Sequence, residues 1–295
     1  MKVPSYDCDR PSVGSVSVSI VVHRSPVGQL RHALECILRS DYVGRVDIVD
    51  NSPDDSLQCV TDGLPDCGRV WYRHVDNHGY GAGHNAAIRD AMSEGFEYHL
   101  VMNADVWWEG DVIGLIADFI CRRPEAGMAM PRVRYPDGSL QYACRLLPTP
   151  FDVFAKRFLP SGWIRTRMRR YLMADADHDK EFNPPYLLGS FLFFRMDALR
   201  RAGLFDERFF MYPEDIDITR RVHRYSPTLF FPEAEIVHEH AASSRRNYRM
   251  LWIHIVNMVR YFNKWGWFVD RERRRFNRRI IKEFPRATEP EAGRG

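Results

Sequence analysis

The first 125 residues alternate between short runs of apolar, β-branched residues and longer amphipathic stretches. The runs VSVSIVV (Val16–Val22), RVDIVD, RVWYRHV and YHLVM predict strands. Between them, LRHALECILRS has apolar residues at helical spacing, GAGHNAAIRDAMSEG is led by glycine and rich in alanine, and DVIGLIADFIC is amphipathic and followed by Pro124. This alternation predicts a parallel sheet covered by helices, which binds ligands at the carboxyl ends of its strands.

Past Met130 the pattern is less regular. The stretch VRYPDGSLQY predicts a hairpin, YLLGSFLFFRM one strongly buried strand, and TLFFP and AEIVHEH two short strands. The segment PFDVFAKRFLPSGWIRTRMRRYL mixes aromatic and basic residues without a clear period. From Tyr248 to Trp267 the apolar positions again recur at helical spacing.

Length and composition fit a globular protein with one large core. The chain has 295 residues, of which 45% are hydrophobic, and a net charge of only +3. The charge is uneven, because twelve Lys and Arg lie between Arg245 and Lys282, where Asp270 and Glu272 are the acids. A basic block at one end indicates a local anionic partner, and no nucleic-acid reader motif accompanies it.

The tail leaves two interpretations open. A basic helix with Trp and Phe on its apolar face suits an anionic membrane surface. The alternative is a helix packed on the domain with a solvated, disordered basic end. The six cysteines are scattered without CxxC spacing, which favours a reduced compartment and argues against zinc. With a polar N-terminus and no apolar run of about 20 residues, we expect a cytoplasmic protein.

Polar residues follow two of the predicted strands. Asp50 and Asn51 are suited to bind a nucleobase and ribose, or to form an Asx-turn before Pro53. Asp105 follows VMNA and offers one hard oxygen ligand, which suffices for Mg²⁺ when a substrate brings a diphosphate. The alternative for Asp105 is a residue that starts a polar turn.

A glycine-rich stretch, NHGYGAGHNAA, opens the second predicted helix. Gly79, Gly81 and Gly83 have GxGxG spacing and come after the third strand, whereas the dinucleotide fingerprint is GxGxxG after the first. This disfavours a nicotinamide oxidoreductase. Such glycines let backbone amides approach an anion or a sugar, or they form a tight strand-to-helix turn.

The stretch LFDERFFMYPEDIDITRR sets three acids against apolar residues. Pro213 suits a first helical position, and Glu214 and Asp215 then lie in the first turn, where the helix dipole favours negative charge. Asp217 is spaced to pair with Arg221 at i,i+4 or with Arg220 at i,i+3. Asp215 has Thr219 at i+4 instead, and an apolar environment would raise its pKa and suit it to accept a proton.

Two histidines emerge from the last predicted strand. His238 and His240 in VHEHAASS lie on the same face of that strand. They are suited to bind a metal or a phosphate, or they are ordinary half-buried residues.

The order of these motifs resembles glycosyltransferase family 2, and within it the rhamnosyltransferase-like branch. A βαβ start is followed by VDNSPDD, NHGYGAGHNAA, LVMNADV, GSFLFFRMDALRRAGLFDERFFMYPEDIDITRRV and VHEHAASS, and the resemblance extends from about Val16 to Phe262. It implies the GT-A fold, a Rossmann-like α/β fold with a mixed central sheet flanked by helices. It also implies a nucleotide-diphosphate sugar donor, a divalent cation (Mg²⁺ or Mn²⁺) and inversion at the anomeric carbon.

The resemblance also implies roles for individual residues. It implies Asp215 as catalytic base with Glu214 beside it, and Asp105 and His238 at the metal. Donor nucleotide contacts are expected at His23, Asp50, Asn51, Gly81, Gly83, Asn85 and Asn103. Acceptor-side contacts are expected at Gly189, Ser190, Tyr212 and His240. The chain departs from the family pattern at Asn103, where a second Asp is usual, at Pro213, where Gly is frequent, and in VVHRSP after the first strand.

We therefore expect a flexible lead over residues 1–15, a GT-A domain over 16–244 and a basic, aromatic helical extension over 245–295. The domain would divide into a nucleotide-binding half, about 16–125, and an acceptor half, about 126–244. The expected reaction transfers a sugar, by resemblance rhamnose from dTDP-rhamnose with UDP-sugars as competitors, to a glycan or lipid-diphosphate-linked acceptor in cell-surface polysaccharide synthesis. The enzyme would lie at the inner face of the plasma membrane. The alternative is a non-catalytic membrane- or polyanion-binding protein on a degenerate GT-A scaffold; the oligomeric state, a dimer included, is left open.

Overall fold

The strands and helices of the first 125 residues form where the hydrophobic pattern predicts them. The computed structural model describes residues 10–158, 161–239 and 248–284. Its strands are β1 (Val16–Val22), β2 (Val43–Asp50), β3 (Val70–His74), β4 (Tyr98–Met102), β5 (Val106–Trp107), β6 (Met128–Arg134), β7 (Cys144–Arg145), β8 (Tyr186–Leu187), β9 (Phe191–Arg195) and β10 (Thr228–His238). Its helices are α1 (Val27–Leu38), α2 (Tyr80–Glu94), α3 (Val112–Cys121), α4 (Pro150–Phe158), α5 (Ser161–Tyr171), α6 (Met196–Ala202), α7 (Glu214–His223), α8 (Tyr248–Trp265) and α9 (Arg271–Glu283).

The central sheet is mixed, with strand order β3-β2-β1-β4-β9-β6-β10-β5. The first four strands are parallel, β9 runs antiparallel to β4 and β6, and β10 is parallel to β6 and antiparallel to β5. β1, β2 and β4 therefore all end at one edge of the sheet. The GT-A class of fold expected from the sequence is confirmed.

Two predictions for the second half were wrong in detail. YLLGSFLFFRM forms two strands, β8 and β9, because the chain turns aside at 188–190 to contact α7. TLFFP and AEIVHEH form the single strand β10, whose register shifts between Phe231 and Glu235, so that Pro232 sits in a bulge that spares the ladder. The expected hairpin through Pro136, Asp137 and Gly138 is confirmed as a short one, with an antiparallel bridge between Arg134 and Leu140.

The C-terminal helices pack on α7 through a second apolar cluster. Its buried members are Leu147, Tyr186, Phe209, Ile216, Met258, Tyr261, Phe262 and Phe276. The Arg220 side chain on α7 is 1% exposed; its two Nη atoms donate to the Asp270 carboxylate at 2.7 Å each, and its Nε donates to Glu272 at 2.9 Å. The second half of α8 and all of α9 are thus part of the folded body, and the basic end, which one of the two interpretations left disordered, is helical as far as Glu283.

The described cysteines are mostly reduced. Cys36 and Cys144 are buried free thiols, and Cys59 and Cys67 are exposed free thiols. Cys121 is disulfide-bonded, which differs from the expectation of a reduced protein. Within the described ranges, we find no helix with both the length and the hydropathy needed to cross a membrane.

Candidate active site

The residues at the end of β2 are held mainly by the protein itself. Asp50 is fully buried; its Oδ1 accepts from the Ser52 backbone N–H at 2.8 Å, which forms an Asx-turn, and its Oδ2 accepts from the Tyr72 hydroxyl at 2.6 Å. Asn51 is also buried, and its Oδ1 has no hydrogen-bond partner. His23, after β1, is exposed. The Asn51 side-chain oxygen is therefore a hydrogen-bond acceptor that remains available to a ligand. Contacts of His23, Asp50 and Asn51 with a nucleoside remain a prediction.

The glycine-rich turn lets α2 pack closely against its neighbours. A Cβ at Gly81 would lie 2.9 Å from Phe205 Cβ, and one at Gly83 would lie 2.7 Å from a methyl of Val21. Asn85 exchanges two 2.9 Å hydrogen bonds with the backbone of Phe205. These contacts explain Gly81, Gly83 and Asn85 through packing, and their expected contact with a nucleotide stays a prediction.

Tyr80, the first residue of α2, joins the two halves of the site, and sequence reasoning missed it. Its hydroxyl lies 2.9 Å from both Asn103 Oδ1 and the Gly189 carbonyl oxygen. Burial, with the charges of Glu214, Asp215 and Asp105, raises its pKa well above the ordinary value. The tyrosine is therefore a neutral donor between the end of β4 and the segment before β9.

Asp105 and His238 lie together where β5 pairs with the end of β10. His238 Nε2 is 3.4 Å from Asp105 Oδ1 and 3.5 Å from Asn103 Nδ2. Gln141 Oε1 accepts from His238 Nδ1 at 2.7 Å, which directs the Nε2 lone pair towards Asp105. The pair that the sequence suggested as metal ligands is thus brought together.

These two side chains fit a divalent cation whose remaining ligands come from a substrate and from water. Among the described residues, no group of three or more His, Cys, Asp or Glu forms a complete metal cage. Mg²⁺ and similar ions are held by one or two protein ligands when phosphates and water complete the shell. One carboxylate beside one imidazole whose second nitrogen is fixed by a glutamine meets that requirement.

The Asp215 carboxylate, at the start of α7, is held by three hydrogen bonds from uncharged donors. Its Oδ2 accepts from the Tyr186 hydroxyl at 2.9 Å and from the Gly189 backbone N–H at 3.0 Å, and its Oδ1 accepts from the Ile216 N–H at 2.8 Å. Burial raises its pKa above the ordinary value, while these hydrogen bonds and the charge of Arg145 oppose the rise. The result is an oriented carboxylate whose pKa is raised by burial, although its surroundings are polar and not the apolar wall considered from the sequence.

Glu214 is the more deeply buried of the two acids. The residue is 5% exposed, and its Oε2 has no hydrogen-bond partner. Burial, and then the neighbouring charge of Asp215, raises its pKa well above the ordinary value. Two adjacent carboxyl groups in one enclosed place favour a protonated Glu214 beside an ionised Asp215.

Of the expected acceptor-side residues, Gly189 contacts Asp215 directly. A Cβ at Gly189 would lie 3.0 Å from Asp215 Cβ, so glycine is what allows the backbone to approach the carboxylate. Ser190 is buried with an unpaired Oγ. Tyr212 has a φ of 54°, and its ring lies 5.2 Å from that of His254 on α8. His240 lies outside the described residues.

Tyr186 is the second residue that sequence reasoning missed. It lies in β8, within the run YLLGSFLFFRM, where its aromatic ring is indistinguishable from a core residue. The polar signal that could have marked it is the hydroxyl at the end of an otherwise apolar run, because a buried Tyr hydroxyl requires a partner.

Comparison with known proteins identifies a similar enzyme. The N-acetylglucosaminyl-diphospho-decaprenol L-rhamnosyltransferase of Mycobacterium tuberculosis is 31% identical over 202 residues, which are 63% of this chain and 66% of that protein. The match thus spans just under two thirds of the relative's length.

Solved structures share the fold at low sequence identity. GalNAc-T7 with UDP, GalNAc and Mn²⁺ has a TM-score of 0.58 at 13% identity and covers 77% of this chain and 43% of its own. The mannosyltransferase PcManGT from Pyrobaculum calidifontis with GDP-Man and Mn²⁺ has a TM-score of 0.56 at 16% identity, covering 88% and 66%. S. aureus TarS has a TM-score of 0.55 at 14% identity, covering 91% and 42%.

The profile of glycosyl transferase family 2 matches residues 17–203, from β1 to the end of α6. This range includes the strand-end residues Asn51 and Asp105, the glycine-rich start of α2 and the Gly189 turn that contacts Asp215. The chain belongs to glycosyl transferase family 2.

Proposed function

We propose that the protein is an inverting glycosyltransferase that moves rhamnose from dTDP-rhamnose to a lipid-diphosphate-linked glycan in cell-surface polysaccharide synthesis. The observation that carries this proposal is the Asp215 carboxylate, oriented by Tyr186 and Gly189 and linked through Tyr80 to the pair Asp105 and His238. The proposed proton acceptor and the proposed metal ligands are thus joined by hydrogen bonds through Gly189, Tyr80 and Asn103.

The transfer needs a proton acceptor on one side of the sugar and charge stabilisation on the other. Asp215 takes the proton from a hydroxyl group of the acceptor. At the same time the hydroxyl oxygen bonds to the anomeric carbon, and the bond between that carbon and the nucleotide diphosphate breaks. Asp105 and His238 would hold the divalent cation, which supplies positive charge to the departing diphosphate. General-base assistance of this kind contributes about 10²- to 10⁴-fold to the rate.

The choice of donor and acceptor rests on the relatives. The mycobacterial relative is a rhamnosyltransferase whose name specifies a decaprenyl-diphosphate-linked N-acetylglucosamine. GalNAc-T7 binds UDP and Mn²⁺, and PcManGT binds GDP-Man and Mn²⁺. We therefore propose a divalent cation, Mg²⁺ or Mn²⁺, and dTDP-rhamnose as donor, with UDP-hexoses as the competing class.

A nucleotide-sugar panel tests the donor. Thermal unfolding is measured with dTDP-rhamnose, UDP-hexoses and GDP-mannose, each with Mg²⁺ or Mn²⁺, because a ligand that binds the folded state raises Tm by mass action. We expect dTDP-rhamnose to give the largest shift. If no donor changes Tm, the proposed function is wrong.

Part of α8 supports a membrane-bound acceptor. Residues 248–256 include seven apolar side chains and none that is buried, and Tyr248 and Trp252 are 89% and 66% exposed. The same helix contacts the segment before Asp215, since Asn257 Nδ2 donates to the Met211 carbonyl at 2.9 Å. We propose that this half of α8 rests in an anionic bilayer and brings the site to its lipid-linked acceptor.

Six exposed cations on α9 also favour binding to an anionic bilayer. They are Arg271, Arg274, Arg275, Arg278, Arg279 and Lys282, and the neighbouring turn exposes Phe268 and Val269. Basic and aromatic side chains together suit an anionic lipid headgroup layer. The same feature supports the second candidate, a non-catalytic membrane-binding protein. Salt-sensitive liposome binding without affinity for any nucleotide sugar would favour that candidate.

A further inference from the structure

The two-stranded ribbon β7–β8 places a cation opposite a tyrosine at the proposed base. Arg145 in β7 pairs directly with Tyr186 in β8, so the two side chains lie on the same face of the ribbon. The guanidinium carbon of Arg145 is 5.8 Å from the centroid of the Tyr186 ring. Tyr186 in turn donates to Asp215 at 2.9 Å.

Arg145 is held in this position by its own hydrogen bonds. Its Nε donates to the Tyr142 carbonyl at 3.1 Å, and its guanidinium also hydrogen-bonds to the Tyr171 side chain at the end of α5. Burial alone would lower its pKa, but the neighbouring Tyr186, Tyr171 and Asp215 raise it, so Arg145 stays charged. The cation is therefore a fixed part of the enclosure around Asp215.

The surroundings of Asp215 would otherwise disfavour its ionised form. Glu214 is adjacent on α7, and the partial burial of Asp215 raises its pKa. The other titratable groups nearby are Tyr80 on α2, Tyr186 on β8 and Tyr171 on α5, all of which are neutral in the range of ordinary pH because burial raises their pKa values. The positive charge of Arg145 opposes the rise in the pKa of Asp215 that burial causes, in addition to the hydrogen bonds from Tyr186, Gly189 and Ile216.

We infer that Arg145 is a positioning residue for the proposed general base: from β7 it adds a positive charge to the surroundings of Asp215 and holds Tyr186 aimed at Oδ2, without contacting either substrate. This rests on the proposed function, because it assumes that Asp215 accepts the acceptor's proton. The ribbon then has a purpose beyond packing, since its two strands and the following Gly189 amide together supply the environment of one carboxylate.

The test compares the pH profiles of kcat/KM for the wild type, Arg145→Gln, Arg145→Lys and Tyr186→Phe. Removing the charge in Arg145→Gln should move the acid limb to higher pH, with activity below that limb falling about tenfold for each unit of displacement. Arg145→Lys keeps a charge and should leave the limb near that of the wild type. Tyr186→Phe should displace it in the same direction as Arg145→Gln, while the KM for the acceptor stays within about twofold in every variant, because neither side chain is expected to make uniform binding contacts.

A loss that is equal at all pH values would mean that Arg145 is merely structural, and a rise confined to the acceptor KM would mean that it binds the acceptor. Either result overturns the inference. If Arg145→Gln does not fold, the acid limbs of Tyr186→Phe and Arg145→Lys are compared with that of the wild type instead.

A second measurement separates this inference from the proposed function. The carboxyl ¹³C resonance of Asp215, assigned by its loss in Asp215→Asn, is titrated in the wild type and the variants. A higher pKa in Arg145→Gln than in Arg145→Lys supports the positioning role even if no sugar transfer is detected. Identical titration curves would overturn it even if the wild type is an active transferase.

Discussion

Asp215 and Asp217 are two residues apart on α7, yet their carboxylates lie in opposite electrostatic environments. Asp217 is fully buried and is bound by Arg221 at 2.8 Å, Lys264 at 2.7 Å and the Trp265 indole N–H at 2.8 Å. Asp215 is bound by a hydroxyl and two backbone N–H groups. Two cations neutralise Asp217, whereas the hydrogen-bond donors of Asp215 are uncharged. The Asp215 carboxylate is therefore the one suited to accept a proton.

Exchanging each acid for its amide should separate chemistry from stability. Asp215→Asn should lower transfer by about 10²- to 10⁴-fold, the usual contribution of a general base. It should leave Tm unchanged or raised, because it removes a buried carboxylate whose ionised form burial disfavours. Donor binding, measured by the thermal shift with nucleotide sugar, should be retained.

Asp217→Asn is the matched variant on the same helix. It leaves Arg221 and Lys264 without their shared anion, which should destabilise the fold by about 1–3 kcal/mol. The corresponding fall in Tm is of the order of 2–4 °C for each kcal/mol in a domain of this size, and kcat per folded molecule should stay within a few-fold of the wild type. Near-normal turnover of Asp215→Asn would rule out its role as base.

Local spacing predicted some of these relationships and could not predict others. The pairing of Asp217 with Arg221 follows from i,i+4 geometry on a helix, and it is confirmed. The partners of Asp215 come from positions 26 and 29 residues earlier in the chain. Tyr186 and Gly189 lie close to Asp215 because of the path that the chain takes between β8 and β9. The spacing of hydrophobic residues does not predict that path.

The same limit applies to Tyr80 and to the end of β10. Tyr80 reads as one aromatic residue in a glycine-rich turn, and its bonds to Asn103 and Gly189 exist only once β4 and β9 are neighbours. Pro232 predicts a strand break, and the structure absorbs it in a bulge instead. The hydrophobic pattern therefore specified the elements of the parallel half of the sheet, whereas long-range packing decided the contacts that orient the candidate site.

Asp105→Ala should abolish the dependence of donor binding on metal. Asp105 offers the carboxylate beside His238, so its loss leaves the diphosphate and the cation without their protein oxygen ligand. With Mn²⁺ or Mg²⁺ present, the donor-induced rise in Tm should fall to the level seen for the wild type in excess EDTA. Glu109→Ala is the control, because Glu109 is an exposed acid only four residues away. An Asp105→Ala protein with the full metal-dependent shift would contradict this assignment of the site.

Replacing Tyr248 and Trp252 by Ser should weaken binding to vesicles of phosphatidylglycerol and phosphatidylethanolamine. Burying one large apolar side chain contributes about 1.5–3 kcal/mol, so losing two should reduce the bound fraction by more than tenfold. Sedimentation with vesicles at low and high salt measures this, and high salt should weaken the remaining, electrostatic part. Trp71→Ser, which changes an exposed Trp on β3, is the control. Equal binding by the double variant and this control would exclude α8 as the membrane contact.

A buried chain of serines and histidines behind the site should make the fold sensitive to acid. The Ser17 hydroxyl donates to the Tyr98 carbonyl and accepts from His99 Nδ1; Ser19 donates to His99 Nε2 and accepts from His84 Nδ1. Each polar hydrogen of these four side chains already donates one hydrogen bond. A histidine that gained a proton would therefore have a new N–H group without a hydrogen-bond acceptor. Burial accordingly lowers the pKa of His99 to about 3 and that of His84 well below its ordinary value.

The direction of the pH effect follows from these lowered pKa values. Above pH 6.5 the two histidines are neutral in both the folded and the unfolded chain, and their full contribution to stability is present. As the pH falls from 6.5 towards 3, the unfolded chain binds protons that the folded chain does not, and the free energy of unfolding should fall by up to about 1.4 kcal/mol per pH unit for each histidine. Urea unfolding between pH 4 and 8 measures the slope, and His99→Gln should make it shallower than that of the wild type, whereas His32→Gln, at an exposed position, should not. The same slope in His99→Gln as in the wild type would show that this chain of hydrogen bonds does not couple folding to pH.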